Sequence, residues 1–293
     1  MIRFSRYWVV YLLISSIVIL SGLYSIFRYG YKYSIDFTGG SEVSYSVKDT
    51  SKINNEKIGT ALKNIDAKVI SIESRGKNLD IRATGINEQT EKKLKTDLEK
   101  KLGTTLTLLR FNEVGPTIAS DMIRKTVIAV LLGALVILSY IFYAFKRITF
   151  AIAAVLAMAH DVLVVLGTYS IMSHFFGAQL DTLFVTGILT TMSFSVHDTI
   201  IIFDKIREAK KHTTTTPLAE LGDMAVSSTM IRSINNSLTI FFMLVALVVL
   251  GGESIKFFGL TLLIGTITGA YSSPFVATPI MIGIENLMAK YKR

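Results

Sequence analysis

The stretch YWVVYLLISSIVILSGLYSIF, residues 7–27, contains no Asp, Glu, Lys, Arg or His. A helix that crosses the hydrocarbon core of a bilayer needs about 20 predominantly apolar residues, so this stretch predicts a membrane-spanning helix. Arg3 and Arg6 precede it, as in a signal peptide, but the apolar run is too long for one and no small-x-small cleavage site follows. We therefore expect a retained helix.

Five more windows are apolar over a similar length. They are residues 126–145, 148–173, 182–203, 233–252 and 257–284. Four of the six windows hold no Asp, Glu, Lys, Arg or His, whereas the third holds His160 and Asp161 and the fourth holds His197 and Asp198. The sequence therefore predicts a polytopic α-helical membrane protein with six transmembrane helices.

The composition agrees with this class. Of 293 residues, 51% are hydrophobic and 18% are charged, a balance that is unusual for a cytosolic enzyme because the outside of such an enzyme must be wetted. The absence of cysteine excludes disulfides, thiolate nucleophiles and cysteine-ligated metal sites. A metal would need His, Asp or Glu ligands, and we expect neither a metal nor a cofactor.

The basic residues of the short loops predict the orientation. Eleven of them flank one end of the windows, and Lys256 alone lies in the alternate short loops. The eleven are Arg3, Arg6, Lys146, Arg147, Lys205, Arg207, Lys210, Lys211, Lys290, Lys292 and Arg293. Because cytoplasmic loops are enriched in Lys and Arg, we expect both termini in the cytoplasm and residues 31–120 outside the plasma membrane.

Three parts follow from this orientation: a cytoplasmic terminus with the first helix (residues 1–30), an extracytoplasmic domain (residues 31–120) and a five-helix transmembrane domain (residues 121–293). The exterior part carries fifteen Lys and Arg against twelve Asp and Glu, so it is mixed in charge and has no basic patch. The net charge of +9 therefore reflects topology, and we expect the lipid bilayer and not nucleic acid as a partner.

The exterior part alternates between two hydrophobic periods. Strand patterns at residues 41–47, 68–74, 78–83 and 104–111 are interrupted by helix patterns at residues 54–65 and 87–102. Asn87 is a suitable cap for the second helix. The order βαββαβ predicts a ferredoxin-like α+β domain, a fold that names no function by itself.

The charges inside the membrane windows are the candidate functional residues. A carboxylate near the bilayer centre costs at least ~2.5 kcal/mol and is kept where it is paired, protonated or useful. By the loop argument, Asp198 and Arg232 lie in the same leaflet and are able to pair, either as a static salt bridge or as a proton site. His197 extends such a relay, and Asp161 is a second candidate.

Small residues and prolines mark the last window. Gly265 and Gly269 form a small-xxx-small pair, which predicts a close approach of helices. Pro274 and Pro279 predict a kink.

Several segments together resemble one known family, the SecF family of the bacterial SecD/SecF protein-export complex. They are YSIDFTGG (residues 33–40, with Asp36, Gly39 and Gly40), Val114 with Gly115 and Pro116, SVHDTIIIFDKIRE (residues 195–208, with Asp204 and Arg207), RSINNS (residues 232–237) and GAYSSPFVA (residues 269–277). The likeness covers nearly the whole chain and includes six spans with one large exterior domain after the first.

The resemblance implies an auxiliary, non-enzymatic subunit of the resistance-nodulation-division superfamily. Such a subunit acts with a SecD-like partner and the Sec channel, and uses protons to help an exported polypeptide leave on the outer side. The family's proton-linked aspartate and arginine correspond to Asp198 and Arg232.

Three alternatives remain open at this point. A small-molecule exporter of the same superfamily usually has two halves and larger exterior domains. An intramembrane aspartyl protease would use Asp161 and Asp198, although no Gly-x-Gly-Asp motif surrounds either residue. A passive scaffold would tolerate neutral residues in place of the buried charges.

Overall fold

The computed structural model describes residues 4–145, 147–213 and 215–291. The chain divides into two compact units, Met1–Lys32 with Ile128–Arg293, and Tyr33–Val127. Four of the basic residues that predict the orientation, Arg3, Lys146, Lys292 and Arg293, lie outside the described residues.

The helices and strands are as follows. The helices are α1 (Trp8–Tyr29), α2 (Ile35–Thr38), α3 (Asn55–Lys63), α4 (Glu88–Leu102), α5 (Pro116–Phe145), α6 (Ile148–Phe176), α7 (Thr182–His212), α8 (Leu218–Leu250), α9 (Glu253–Ser272) and α10 (Thr278–Tyr291). The strands are β1 (Lys32–Tyr33), β2 (Gly40–Val47), β3 (Lys68–Arg75), β4 (Asn78–Thr84), β5 (Leu106–Val114) and β6 (Gln179–Leu180). Short 3₁₀ turns lie at Phe4–Tyr7 and Thr50–Lys52, and a π-helical turn lies at Ser273–Ala277.

Within the described ranges, six helical segments are long and apolar enough to cross a membrane. They are Phe4–Tyr29, Pro116–Phe145, Ile148–Phe176, Thr182–His212, Leu218–Leu250 and Ser254–Tyr291. The predicted six spans are therefore confirmed. The third and sixth are 61% buried over their most apolar stretch and the second and fifth only 6%, so α6 and α9 are central, and α5 and α8 are peripheral and present apolar side chains outward.

Two helices extend well beyond the apolar windows that predicted them. Helix α7 continues to His212, and α8 begins at Leu218, fifteen positions before the predicted window at 233. A hydropathy window detects only the part of a helix that suits hydrocarbon, whereas backbone hydrogen bonding continues through polar residues. Arg232 consequently lies inside α8 and not at the start of a helix.

Small residues join α7 to α9 in a regular ladder. A Cβ atom at Gly187 would lie 2.9 Å from Thr261 Cγ2, one at Gly265 would overlap the side chain of Thr191, and one at Gly269 would lie 3.1 Å from the Cα of Ser195. Each step advances four residues on both helices, so the two run parallel with their backbones in close contact. The close approach predicted from Gly265 and Gly269 is confirmed.

Helix α1 is attached to α6 by a similar seam of small residues. Its buried residues are Ser15, Gly22 and Ser25. A Cβ at Gly22 would lie 2.7 Å from the Cα of Gly167, and three residues further on Ser25 Oγ is 3.0 Å from Ser170 Oγ. Because larger apolar side chains on α1 face outward, this seam carries most of its packing.

The last span is interrupted where Pro274 occurs. The α-helical pattern of α9 ends at Ser272 and gives way to the π-helical turn. Proline cannot donate the hydrogen bond that a continuous helix requires, and π-turns inside helices frequently mark functional sites. The regular α-helical hydrogen bonding is therefore interrupted at Pro274, and the kink expected from the two prolines stays a prediction.

The Tyr33–Val127 unit contains a four-stranded antiparallel sheet in the order β3-β4-β2-β5. The elements β2, α3, β3, β4, α4 and β5 follow one another in the predicted βαββαβ order. Asn87 caps α4 in a full capping box with Thr90, which confirms its predicted role. Alternate residues of β2, namely Val43, Tyr45 and Val47, are fully buried. They belong to the same hydrophobic core as Leu62 of α3 and Leu98 of α4.

One polar pair lies inside this domain core. Tyr45 is fully buried and donates a 3.0 Å hydrogen bond from its hydroxyl to Glu91, which is 4% exposed. Burial, together with the neighbouring Glu91 carboxylate, raises the pKa of Tyr45 far above the ordinary value of a tyrosine. The hydroxyl therefore keeps its proton and fixes β2 to α4.

Candidate functional site

Asp198 is buried near the middle of the 31-residue helix α7, with 7% of its surface exposed. Its Oδ2 accepts a 2.7 Å hydrogen bond from the hydroxyl of Ser233 on α8. A serine hydroxyl is neutral and donates one bond, so it stabilises the carboxyl without neutralising it. The site thus places a titratable group inside the membrane with a neutral partner.

The structure does not bring Arg232 to Asp198. The side chain of Arg232 is exposed, and no ion pair of Asp198 occurs among the described residues. Successive residues of an α-helix point about 100° apart, and Ser233 takes the direction that faces Asp198. The predicted contact between Arg232 and Asp198 is absent among the described residues. Ser233, the next residue of α8, contacts Asp198 instead, and Arg232 faces outward.

His197 is likewise turned away from Asp198. Its side chain is exposed on α7, whereas Asp198 and Thr199 beside it are buried. The reason is again the helical rotation between consecutive residues. A relay that passes from His197 directly to Asp198 therefore has no hydrogen bond in the part of the chain that the structure describes.

Asp161, the second predicted carboxyl, lies in a separate polar cluster. It is 2% exposed on α6, and its two oxygens have different partners. Oδ1 is 2.8 Å from Nδ1 of His160, and Oδ2 accepts a 2.7 Å hydrogen bond from Ser272 at the end of α9. The two intramembrane carboxyls thus use different serines on different helices.

A pair of hydroxyls lies between the two carboxyl sites. Thr199 Oγ1, on the residue after Asp198, is 2.9 Å from Ser273 Oγ, on the residue after Ser272. The contact continues the α7–α9 ladder by one more step of four residues. Ser233, Ser272 and Ser273 were not predicted as partners of the carboxyls, although their polarity within apolar windows is the signal that would have identified them.

These contacts bear on the chemistry that the site can perform. Catalysis of the aspartyl-protease type requires two carboxyls that share a proton, and no hydrogen bond joins Asp161 to Asp198 in the ranges described. No group of three or more His, Asp or Glu side chains that could hold a metal occurs among the described residues either. Reversible protonation of each carboxyl is the chemistry that the geometry favours.

Asp204 and Arg207 lie where α7 leaves the apolar window. Arg207 donates to Asp204 at 2.6 Å and to the carbonyl oxygen of Ala144 at 3.0 Å. The last carbonyls of a helix have no partner within it, so Arg207 caps the carboxyl end of α5. Arg207 therefore ties α7 to α5, and its partner Asp204 lies six residues after Asp198 on α7.

Two acidic residues at the same helix ends were not predicted. Asp223 on α8 accepts 2.8 Å hydrogen bonds from both the backbone N–H and the hydroxyl of Ser5. Glu285 on α10 accepts from Arg147 at 3.1 Å and from Lys210 at 2.7 Å. They connect the chain ends and loops that were predicted to be cytoplasmic, and hydropathy windows give no signal for such pairings.

The two glycine-containing motifs that flank the exterior domain come together. Ser34 caps the short helix α2, which contains Asp36 and ends at Gly39. Gly40 pairs with Val114 as β2 begins and β5 ends, and Gly39 lies against Pro116, the first residue of α5. A Cβ at Gly39 would be 3.4 Å from both Pro116 Cα and Val114 O. The motifs therefore form the junction through which the chain enters and leaves the sheet.

We expect Gly39→Ala to destabilise this junction. Gly39 has φ +70° and ψ 174°, a conformation that costs other residues about 1–3 kcal/mol. Gly59→Ala in α3 is the matched control, because nothing lies within 4 Å of that position and alanine favours a helix by about 1 kcal/mol. Backbone hydrogen exchange of β2 in the full chain measures both. If Gly39→Ala and Gly59→Ala changed the protection of β2 in the same direction, the role of Gly39 in the junction would be contradicted.

A cavity of about 300 Å³ lies between α7, α8 and α9 next to the Asp198 partner. Ser233 lines it together with apolar residues such as Ile202, Met230, Phe241 and Phe275. Part of the face of α8 that carries Ser233 therefore borders this cavity.

Comparisons with known proteins give a consistent result. The family described as "Protein export membrane protein SecD/SecF, C-terminal" matches residues 94–287. Among curated proteins, "Protein translocase subunit SecF" of Thermobaculum terrenum is 33% identical over 98% of this chain and 95% of its own length. The protein of the same name from Sebaldella termitidis is 34% identical over 97% of this chain and 91% of its own.

The fold is similar to that of a solved structure. The crystal structure of SecDF from Thermus thermophilus, a translocon-associated membrane protein, superposes with a TM-score of 0.84 at 27% identity. The match covers 97% of this chain but 39% of the longer SecDF chain.

Proposed function

Because the chain belongs to the SecF family of protein translocase subunits, we propose that it is an auxiliary subunit of a Sec translocase that uses the proton gradient to promote polypeptide export. It is a multi-pass protein of the bacterial inner membrane. Its role is not enzymatic: it assists movement of the exported polypeptide and makes no covalent change to it.

The observation that carries the proton part of the proposal is the environment of Asp198. An unpaired charge at the bilayer centre costs about 2.5–3.5 kcal/mol on insertion scales, and the described hydrogen-bond partner of Asp198 is the neutral Ser233. Binding a proton removes that charge. Binding or release of this proton therefore changes the free energy of α7 in the bilayer by about 2.5–3.5 kcal/mol.

Arg232 supplies the second state in this proposal. Arg232 immediately precedes Ser233 within α8, so a rotation of α8 by about 100° would bring the guanidinium to Asp198 in place of the serine. The cavity beside Ser233 gives space for such a movement. Each charge that crosses the membrane potential provides ~2.3 kcal/mol per 100 mV. Asp161 and His197 remain second candidates for the same relay.

We assign the cytoplasmic side to the helix ends at which ion pairs join neighbouring charged residues. Asp204 with Arg207, and Glu285 with Arg147 and Lys210, all lie at the ends predicted from the basic loops. Successive spans cross the membrane in opposite directions, so the first and third spans (α1 and α6) should run parallel, as should the fourth and sixth (α7 and α9). Their packing agrees with this. Both termini are then cytoplasmic, and residues 31–120 form the extracytoplasmic domain that lies on the side where an exported chain emerges.

The partners follow from the relatives. The SecDF relative is a longer polypeptide of which this chain covers 39%, so a SecD-like partner supplies the remainder of the functional unit. Sec channel subunits, the exported polypeptide in transit, protons and the lipid bilayer complete the set of partners. Nucleic acid is not among them.

The test combines purification with an export assay. The full chain, gently solubilised from bacterial membranes, is expected to bring down a SecD-like protein and channel subunits. Export of a secreted reporter should be faster in cells that contain the chain, and this gain should vanish when a protonophore collapses the gradient. A gain that persists without the gradient would indicate a passive scaffold. A change in small-molecule accumulation without a change in export would indicate an exporter of small molecules.

A further inference from the structure

The cluster around Asp161 has features that its role as a second candidate does not explain. His160 and Asp161 are 8% and 2% exposed in the interior of α6, and Nδ1 of the histidine is 2.8 Å from the carboxyl. The other ring nitrogen, Nε2, is buried and has no hydrogen-bond partner within the described residues. A buried polar atom without a hydrogen-bond partner is unfavourable and calls for an explanation.

The proton count of this dyad is restricted by its geometry. The short contact between Nδ1 and Oδ1 requires one proton between them, carried by either atom, and the Ser272 hydroxyl donates to the remaining oxygen Oδ2. With a lone pair at Nε2, the dyad carries one negative charge. With a proton at Nε2 it is neutral, whichever atom carries the shared proton.

The titratable groups named on the neighbouring helices have partners other than the dyad. On α9 the nearest titratable group is Tyr271, with its ring 6.4 Å from that of His160, and its hydroxyl donates to the carbonyl of Tyr11 on α1. Helix α7 contributes Asp198, with Ser233 as its partner, and α10 contributes Glu285, which pairs with two basic residues at the helix end. Among the described residues, no lysine or arginine forms an ion pair with Asp161.

We propose that His160 and Asp161 form a second intramembrane proton-binding site, which takes its proton at Nε2 of His160 and is linked through Ser272 and Ser273 to the helix that carries Asp198. On loading, a hydronium ion gives its proton to the Nε2 lone pair, an N–H bond forms, an O–H bond breaks and water remains. The dyad changes from one negative charge to none.

The link uses two consecutive serines at the start of the π-helical turn. Ser272 donates to Asp161 on α6, and Ser273 is 2.9 Å from Thr199 on α7. Because both serines belong to one short segment of backbone, a change in the strength of the first hydrogen bond moves the second. Only this linkage rests on the proposed function, since the dyad itself is defined by its own contacts.

The site is tested by ¹⁵N NMR of histidine side chains in the full chain, reconstituted in lipid nanodiscs and titrated with pH. The chain has four histidines, and His160→Asn identifies the signal of interest. Asp161→Asn should lower the proton affinity of Nε2 at least about tenfold, because the carboxylate that stabilises the imidazolium is lost. Ser272→Ala should raise it, because the carboxylate loses a donor to its charged form.

Shifts of opposite sign in the proton affinity of His160 Nε2 in Asp161→Asn and Ser272→Ala are the signature of the dyad. His212→Gln, at the exposed end of α7, is the control and should leave this proton affinity unchanged. An Nε2 that does not titrate between about pH 4 and pH 10, or shifts of the same sign, would overturn the site. Where Asp161→Asn does not fold, the sign of the Ser272→Ala shift decides alone.

The linkage needs a second comparison. Asp198→Asn should change the proton affinity of His160 at least about twofold, and this change should disappear in the presence of Ser273→Ala. An equal effect with and without Ser273 would refute the connection. Because the readout is a proton on nitrogen, a failure of the proposed export function would leave these results unchanged.

Discussion

Asp198→Asn is expected to abolish the part of polypeptide export that depends on the proton gradient, while the amount of the protein in the membrane stays normal. The amide has nearly the shape of the carboxyl and can still accept the hydrogen bond from Ser233, so the packing of α7 against α8 is retained. It cannot bind or release a proton. Export of a secreted reporter, measured with and without a protonophore, gives the gradient-dependent part directly.

Two further variants separate this effect from general damage. Asp121→Asn removes an exposed carboxylate that pairs with Lys125 on α5 and should leave export unchanged. Ser233→Ala removes the hydrogen bond to Asp198 and should reduce the gradient-dependent part several-fold without eliminating it. Full gradient dependence in Asp198→Asn at normal protein levels would exclude Asp198 as the proton carrier.

Gly167→Val is expected to have the largest effect on folding. A Cβ at this position would lie 2.5 Å from the Cα of Gly22, so the side chain meets backbone that cannot rotate away. Relief requires α1 to move off α6 and to break the contact between Ser25 and Ser170. Overpacking of this kind costs about 1–3 kcal/mol or more, and we expect at least about 3 kcal/mol because the obstacle is backbone on both helices.

The measurement is the midpoint of thermal denaturation of the detergent-solubilised full chain, together with the yield of folded protein. Gly283→Val is the matched control, since it makes the same change in helix α10 at a position with nothing within 4 Å. It should leave the midpoint nearly unchanged. Equal losses in both variants would mean that the α1–α6 seam is not the determinant of stability that the packing indicates.

The architecture of the chain is largely predictable from its sequence, for a physical reason. Hydrocarbon accepts only helices or closed barrels, in which every backbone hydrogen bond is satisfied, and apolar runs as long as residues 7–27 and the five similar windows predict helices. The alternation of strand and helix periods in residues 41–113, and the cap at Asn87, are equally local. Each of these features depends on neighbours in the sequence, which is why no tertiary information was needed.

The partners of the buried charges depended on the tertiary structure. A helical residue and its successor point about 100° apart, and the rotation of each helix about its axis is set by packing such as the ladder from Gly187 to Gly269. That rotation placed Ser233 and not Arg232 against Asp198, turned His197 outward, and joined Asp161 to Ser272. The sequence identified Asp198 and Asp161 as charges kept in the membrane, and the packing of the helices decided which groups they meet.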